Sequence, residues 1–192
     1  MTRIVAGVAG GRRLQVPPRG TRPTSERVRE ALFNALENLL DLDGAVVLDV
    51  YAGSGALGFE ALSRGAASAT FVESDRRAAD VLRRNAADLA LPGVRVLARA
   101  AESALATAPE QPCDVVLLDP PYAVTDADLG RVLDALVANS WTAPGCVVIV
   151  ERDSRSAEPA WPDPLEPLRT KRYGDTALHW ARHRDEEFGT DG

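Results

Sequence analysis

The sequence of 192 residues predicts an α/β fold, a mostly parallel sheet with helices on both faces. Three observations carry that expectation. Short apolar runs alternate with helix-patterned segments from Ala45 onward, a glycine-rich turn follows the first run, and acidic residues stand where several runs end. Such alternation calls for strands buried on both faces. Ligands in sheets of this kind sit beyond the C-terminal strand ends, where Gly53, Glu73 and Asp119 fall.

The elements follow in order. Arg3-Ile4-Val5-Ala6 and Arg13-Leu14-Gln15-Val16, joined by a Gly-rich turn, read as a hairpin, and Pro17-Pro18-Arg19-Gly20 breaks it. Thr24 can cap a helix in which Val28, Ala31, Leu32, Ala35, Leu36 and Leu39 recur at helical spacing. That stripe must bury against the sheet and leaves an Arg-bearing face free. Strands are expected near 45–50, 69–73, 94–98, 113–118 and 145–151, and helices near 56–64, 76–90, 101–107 and 126–139. Asp75 reads as a helix cap, and Tyr51 and Phe59 as packing residues. A proline-bearing loop over 152–168 leads to a final hairpin, Thr170 to Tyr173 with Thr176 to Trp180, turning at Gly174-Asp175. The organisation expected is a basic hairpin extension over 1–22, one catalytic domain over 23–184 and a disordered polar tail over 185–192.

Composition narrows the classes. Hydrophobic content of 45% and charged content of 26% are those of a globular protein. No apolar run reaches membrane-span length and no signal-peptide core is present, so a cytoplasmic location is expected. Cys113 and Cys146 read as small buried hydrophobes. His179 and His183 lie in a strand-like segment without further ligands nearby, so no metal is expected. The net charge of −6 is unevenly spread: residues 1–30 hold seven Arg and two Glu, a balance of +5, which leaves −11 for the rest. Arg3, Arg12, Arg13, Arg22 and Arg27, with Arg19 and Arg29, are therefore candidates for phosphate contacts with RNA.

The chemistry is carried by two motifs. Val46 to Val50 run into Tyr51-Ala52-Gly53-Ser54-Gly55-Ala56-Leu57-Gly58, a strand, Gly-rich turn and helix start. Gly53 and Gly55 permit close backbone approach to a ligand. Asp49 can sit under that loop and accept hydrogen bonds from its backbone or from a cationic ligand. Glu73, 20 residues after Gly53, can take both ribose hydroxyls of a nucleoside-bearing cofactor, an arrangement shared by nicotinamide and S-adenosylmethionine sites. Hydride transfer needs a substrate-activating His or Tyr/Lys pair. Both histidines lie near the C-terminus, however, and Lys171 is the single lysine. The second motif is Asp119-Pro120-Pro121-Tyr122, after Val115 to Leu118. The prolines make a stiff exit from the strand, which leaves the Asp119 and Pro120 carbonyls free beside Tyr122. Acceptors next to an aromatic suit methyl transfer to an amino nitrogen on a flat base.

With Arg22-Pro23-Thr24-Ser25-Glu26-Arg27-Val28-Arg29-Glu30-Ala31-Leu32-Phe33-Asn34, the Asp49 to Gly58 loop and the Asp119 to Tyr122 turn, the chain resembles class I S-adenosylmethionine-dependent methyltransferases. More narrowly it resembles the RsmD-like family of 16S rRNA guanine-N2 methyltransferases, from Arg3 to about Trp180. The resemblance implies a Rossmann-like, seven-stranded, mostly parallel sheet whose last strand is antiparallel. It also implies S-adenosyl-L-methionine as cofactor and 16S rRNA of the small ribosomal subunit as partner, methylated at guanine 966, with a monomer expected. The implied catalytic residues are Asp119, Pro120 and Tyr122, and the cofactor residues Asp49, Gly53, Gly55 and Glu73. Where the family tends to carry Asp or Asn, this chain has Ala100-Ala101-Glu102. The grip on adenine then falls to the backbone near Ala101 and to Glu102. DNA adenine-N6 and protein glutamine methyltransferases share the Pro-Pro turn. They usually carry Asn at the position of Asp119, and the chain lacks room for a separate target-recognition domain. A non-catalytic RNA-binding assembly factor is the other alternative, against which the intact loop, Glu73 and Asp119 speak.

Overall fold

The computed structural model describes residues 2–18 and 24–185. Arg19, Arg22, the expected boundary at 22/23 and the tail from 186 lie outside the described residues. A short hairpin, β1 (Thr2–Arg3) and β2 (Arg13–Leu14), precedes α1 (Glu26–Glu37). Then β3 (Val46–Val50), α2 (Ala56–Ser63), β4 (Ser68–Val72), α3 (Arg76–Leu89) and β5 (Val94–Leu97) alternate. After α4 (Ala101–Leu105) come β6 (Cys113–Leu118), α5 (Asp126–Ala138) and β7 (Thr142–Asp153). The antiparallel pair β8 (Leu165–Tyr173) and β9 (Thr176–His183) ends the series.

The main sheet has seven strands in the order β5-β4-β3-β6-β7-β9-β8. Strands β3 to β7 pair in parallel, while β9 runs antiparallel between β7 and β8. Successive residues of one strand feed two cores, as continuous apolar runs require. Val47, Leu117, Ile149 and Trp180 pack with α1, α2 and α3 on one face. Leu48, Val50, Leu118 and Val150 pack with α4 and α5 on the other. The expected sheet, its antiparallel last strand and the N-terminal extension are all present. Among the described residues no helix is long and apolar enough to cross a membrane.

Several boundaries differ for identifiable reasons. The N-terminal hairpin pairs only Thr2 with Leu14 and Arg3 with Arg13. Ile4 N–H still donates across to the Arg12 carbonyl at 2.9 Å, and the two amides after it leave the hairpin: Val5 N–H donates to Glu60 Oε2 at 2.8 Å and Ala6 N–H to Glu60 Oε1 at 3.0 Å. Ser25, not Thr24, caps α1, its hydroxyl accepting from Val28 N–H. β7 reaches Asp153 and β8 begins at Leu165 because β9 pairs antiparallel along both. That register shortens the expected loop. Pro167 fits there because β8 is an edge strand, where a missing N–H is tolerated.

Arg29 corrects the expectation of a free arginine face on α1. It lies one turn before Phe33 on the buried stripe and is 0% exposed. Its Nε stands 3.5 Å from Glu60 Oε2, also 0% exposed, and its Nη2 donates to the Arg3 carbonyl. Burial pushes the Arg29 pKa down, and the charges of Glu60 and Glu26 oppose that shift. Arg64 Nε adds a bond to Glu60 Oε1 at 3.0 Å. Glu60→Ala would leave the buried Arg29 and two backbone amides without that acceptor, while Arg64 keeps Glu37 and Asn34. A loss of roughly 3–5 kcal/mol in unfolding free energy is expected from urea denaturation.

Candidate active site

The sheet order reverses direction between β3 and β6, so the loops leaving their C-terminal ends diverge and open a crevice. Val50 pairs with Leu118 at the rim, and Asp119 N–H reaches the Val50 carbonyl at 3.5 Å, which sets the Asp119 turn beside the glycine turn. Two cavities share that rim.

The first, about 410 Å³, is lined by Tyr51, Gly53, Ser54, Glu73, Asp119 and Pro121 among others. Asp49 lies at its floor, 1% exposed, with Oδ2 accepting from Gly58 N–H at 2.9 Å. Asp49 thus ties the start of α2 to β3 as well as bordering the cavity. Burial, with the charges of Asp119 and Glu73, pushes its carboxyl up to about 8 despite the Gly58 bond. Glu73 accepts from Gly53 N–H through Oε2 and from Asp75 N–H through Oε1, both at 2.8 Å. Each oxygen keeps a second lone pair for a ligand hydroxyl. Asp75 caps α3 through Ala78 N–H.

Gly55 does not line this cavity. With φ of +84°, it caps α2 where a Cβ would come within 2.4 Å of Leu82 Cδ1 and 2.5 Å of Phe59 Cε2. Its role is to let the turn press onto α3. Gly58 has the same constraint against Phe71, 2.3 Å from the site of a Cβ. Ala101 and Glu102 also stand apart from both cavities. Ala101 is the buried first residue of α4, and Glu102 pairs with Arg131 at 3.1 Å on the surface.

The second cavity, about 370 Å³, is lined by Asp119, Pro120, Tyr122, Glu151, Tyr173 and Asp175 among others. Tyr122 is 79% exposed, so its ring stands at the mouth and is open to stacking. Thr24 and Asp119 belong to both cavities. The Thr24 hydroxyl lies 3.1 Å from Asp119 Oδ2 and 2.6 Å from Glu151 Oε2. Burial raises Asp119 to about 6, with the Thr24 bond pulling the other way. Burial and the charge of Asp119 raise Glu151 to about 8.

Of the arginines expected to meet RNA, Arg13 and Arg27 are exposed. Arg3 is exposed but paired with Glu26 at 3.0 Å. Arg12 is bound to the Leu89 and Asp88 carbonyls at the end of α3. Sequence reasoning did not place Thr24 or Glu151 at the cavities, while Tyr51, read as a packing residue, both packs on the core and lines the first cavity. Glu151 carries the same signal as Glu73 and Asp119, an acid closing an apolar strand. Tyr51 lines the first cavity with φ of +63°, a strained backbone that nothing in the local sequence announces. Among the described residues no group of three or more His, Cys, Asp or Glu is placed to hold a metal ion.

The family model described as Conserved hypothetical protein 95 matches residues 2–182. Ribosomal RNA small subunit methyltransferase D of Escherichia coli (strain K12) is 38% identical over 188 residues, covering 97% of this chain and 85% of that protein. The Haemophilus influenzae protein of the same name is 39% identical over 155 residues, covering 79% and 78%. The solved structure of yhhF from Escherichia coli superposes with a TM-score of 0.84 at 37% identity, covering 95% of this chain and 97% of that one.

Gly55→Ala combines a left-handed backbone with overpacking. It should cost roughly 2–4 kcal/mol, read as a lowered midpoint in chemical denaturation.

Proposed function

The chain belongs to the Conserved hypothetical protein 95 family, the RsmD-like methyltransferases. On that premise we propose that it methylates the exocyclic N2 of a guanine in 16S rRNA of the small subunit, with S-adenosyl-L-methionine as donor. The observation that carries this reading is the pair of adjoining cavities with Asp119 in their common wall. The family resemblance points to guanine 966.

The residues of the first cavity fit such a donor. Asp49, Glu73 and Asp119 converge on it; burial, and then the charges of Asp119 and Glu73, raise the Asp49 pKa, a cost that a positively charged ligand relieves. S-adenosylmethionine, when bound, supplies an electrophilic methyl group on a sulfonium centre. Glu73, already fixed by two backbone amides, offers its remaining lone pairs to ribose hydroxyls. The glycine turn forms a close-fitting wall.

In the second cavity Asp119 and the Pro120 carbonyl present acceptors. A guanine offers N–H donors at N1 and N2 on one edge, whereas an adenine offers an acceptor at N1. Acceptance of the N2 hydrogens by Asp119 and Pro120 favours a pyramidal nitrogen and aims its lone pair across the shared wall. Asp119 would take the proton that the nitrogen sheds on methylation, the sulfonium of the donor becoming a neutral thioether. Tyr122 stacks on the base, a contact worth about 1–3 kcal/mol. A base so held must leave its helix or already be unpaired. Arg13 and Arg27 are free to meet phosphates beside an otherwise acidic body.

The test is to incubate labelled S-adenosylmethionine with small subunits from cells lacking the protein and map the modified nucleotide. Label at guanine N2 supports the reading. Label only on DNA or protein, or donor binding without transfer to any acceptor, overturns it. Asp119→Ala is expected to lower turnover by about 10²–10⁴-fold with donor affinity nearly intact. Glu73→Ala is expected to weaken the donor roughly 10- to 100-fold by calorimetry, with a smaller effect on turnover at saturation.

A further inference from the structure

The Thr24 hydroxyl stands between two carboxyl oxygens, 3.1 Å from Asp119 Oδ2 and 2.6 Å from Glu151 Oε2. A hydroxyl has one hydrogen to donate and otherwise only accepts. If both carboxyls were ionised, one of these contacts would set lone pairs against lone pairs, with two negative charges in one half-buried niche. A single proton on one carboxyl removes the conflict, because that carboxyl then donates to Thr24 while Thr24 donates to the other.

We propose that Glu151 and Thr24 are positioning residues for the transfer: the protonated Glu151 carboxyl donates to Thr24 Oγ1, and Thr24 donates to Asp119 Oδ2. Asp119 is thereby fixed as a charged acceptor whose Oδ1 is left for the substrate amine. This deepens the methyltransferase reading above and rests on it for the identity of the amine.

The surroundings assign the proton to Glu151. Glu151 makes the shorter contact and carries the larger upward shift, to about 8 against about 6 for Asp119. Among the described residues the groups facing the pair from packed elements add no opposing cation, and Asp49 and Glu73 share the first cavity with Asp119. Thr24, Ser25 and Val28 come from the start of α1, Asp119 and Tyr122 from the β6 turn, and Tyr173 and Asp175 from the terminal hairpin. On the strand of Glu151 itself, Asp153 is held by Arg155, and Arg152 is turned to Asp126 and the Val124 carbonyl. The arrangement also explains why Ser25 caps α1, since Thr24 is committed to the carboxyl pair.

The roles separate by isosteric exchange. The Gln amide can donate to Thr24 as the protonated carboxyl does but cannot ionise. Wild type should lose turnover as pH rises through about 8, when Glu151 ionises. Glu151→Ala and Thr24→Val are expected to lower kcat at least ~10-fold with little change in donor affinity, and Glu151→Gln and Thr24→Ser to recover most of that loss. Glu151→Gln should also lack the alkaline fall. Carboxyl-13C NMR of the full chain without substrate reads the pair independently of any acceptor. Wild type should show one group titrating near 6 and two near 8, Asp49 and Glu151; Glu151→Gln removes one of the two upper ones, and Thr24→Val raises the lower. Glu151→Gln as inactive as Glu151→Ala at every pH, or both carboxyls titrating in the ordinary range, would overturn the assignment. If the NMR pair behaves as described but ribosomal RNA takes no methyl group, the substrate reading fails and the shared proton stands.

Discussion

The buried carboxylate of Glu60 is the contact on which the molecule's arrangement depends. It sits in the middle of α2, inside the core domain, and gathers the Val5 and Ala6 amides, Arg64 and the fully buried Arg29. A charge in such a place is tolerable only when its partners meet it closely and its lone pairs are filled. Here the partners come from three separate pieces of chain: the hairpin, α1 and α2. The N-terminal extension is fastened at that carboxylate and also by Ile4, Ala9 and Leu14 in the core, by Ala9 N–H donating to Ser63 Oγ and by the backbone of Gln15 bonded to Asn85. Since α1 is held there, Thr24, two residues before it, arrives between the two cavities.

At the opposite end of the sheet, acids accumulate instead of being paired. Asp49, Glu73, Asp119 and Glu151 each stand at or near the C-terminal end of a parallel strand, and none has a cationic partner at the rim among the described residues. The structure meets the cost in three ways: one backbone amide binds each oxygen of Glu73, the Gly58 amide reaches Asp49, and one hydroxyl serves Asp119 and Glu151. What remains is a site with negative potential in a chain whose first thirty residues are positive. The two fields suit ligands of opposite sign, a cationic donor within and a polyanion outside.

Much of this was legible in residues, and the pattern of what was not is instructive. Alternating apolar runs, the glycine turn and the Asp75 cap are local signals, and they placed the strands, helices and crevice within a few residues. Thr24 and Ser25 have nearly equal capping propensity, so only the tertiary neighbours of Thr24 decide between them. Arg29 looked like part of a solvated face because its partner, Glu60, lies a whole helix and strand away in sequence. The hairpin is short for the same reason: Val5 and Ala6 find a side-chain acceptor that no pattern near them reveals. Glu102 was assigned by position after a strand, yet the register of α4 turns it to Arg131. Periodicity reports which face is buried; it does not report which buried polar groups meet.

The placement of β9 between β7 and β8 has a consequence for how the molecule assembles during synthesis. β8 leaves the ribosome before β9 but lies at the outer edge of the sheet, with β9 as its hydrogen-bonded neighbour. The gap beside β7 therefore stays open until residues 176–183 have emerged, although the β3-to-β5 half and the glycine turn can form earlier. Tyr173 to Thr176, which wall the cavity on the far side of Asp119, are ordered by that late closure. The nascent chain thus orders the glycine-turn side first and the Tyr173 side last, so a truncated translation product would be left with one cavity unwalled and an unpaired strand edge.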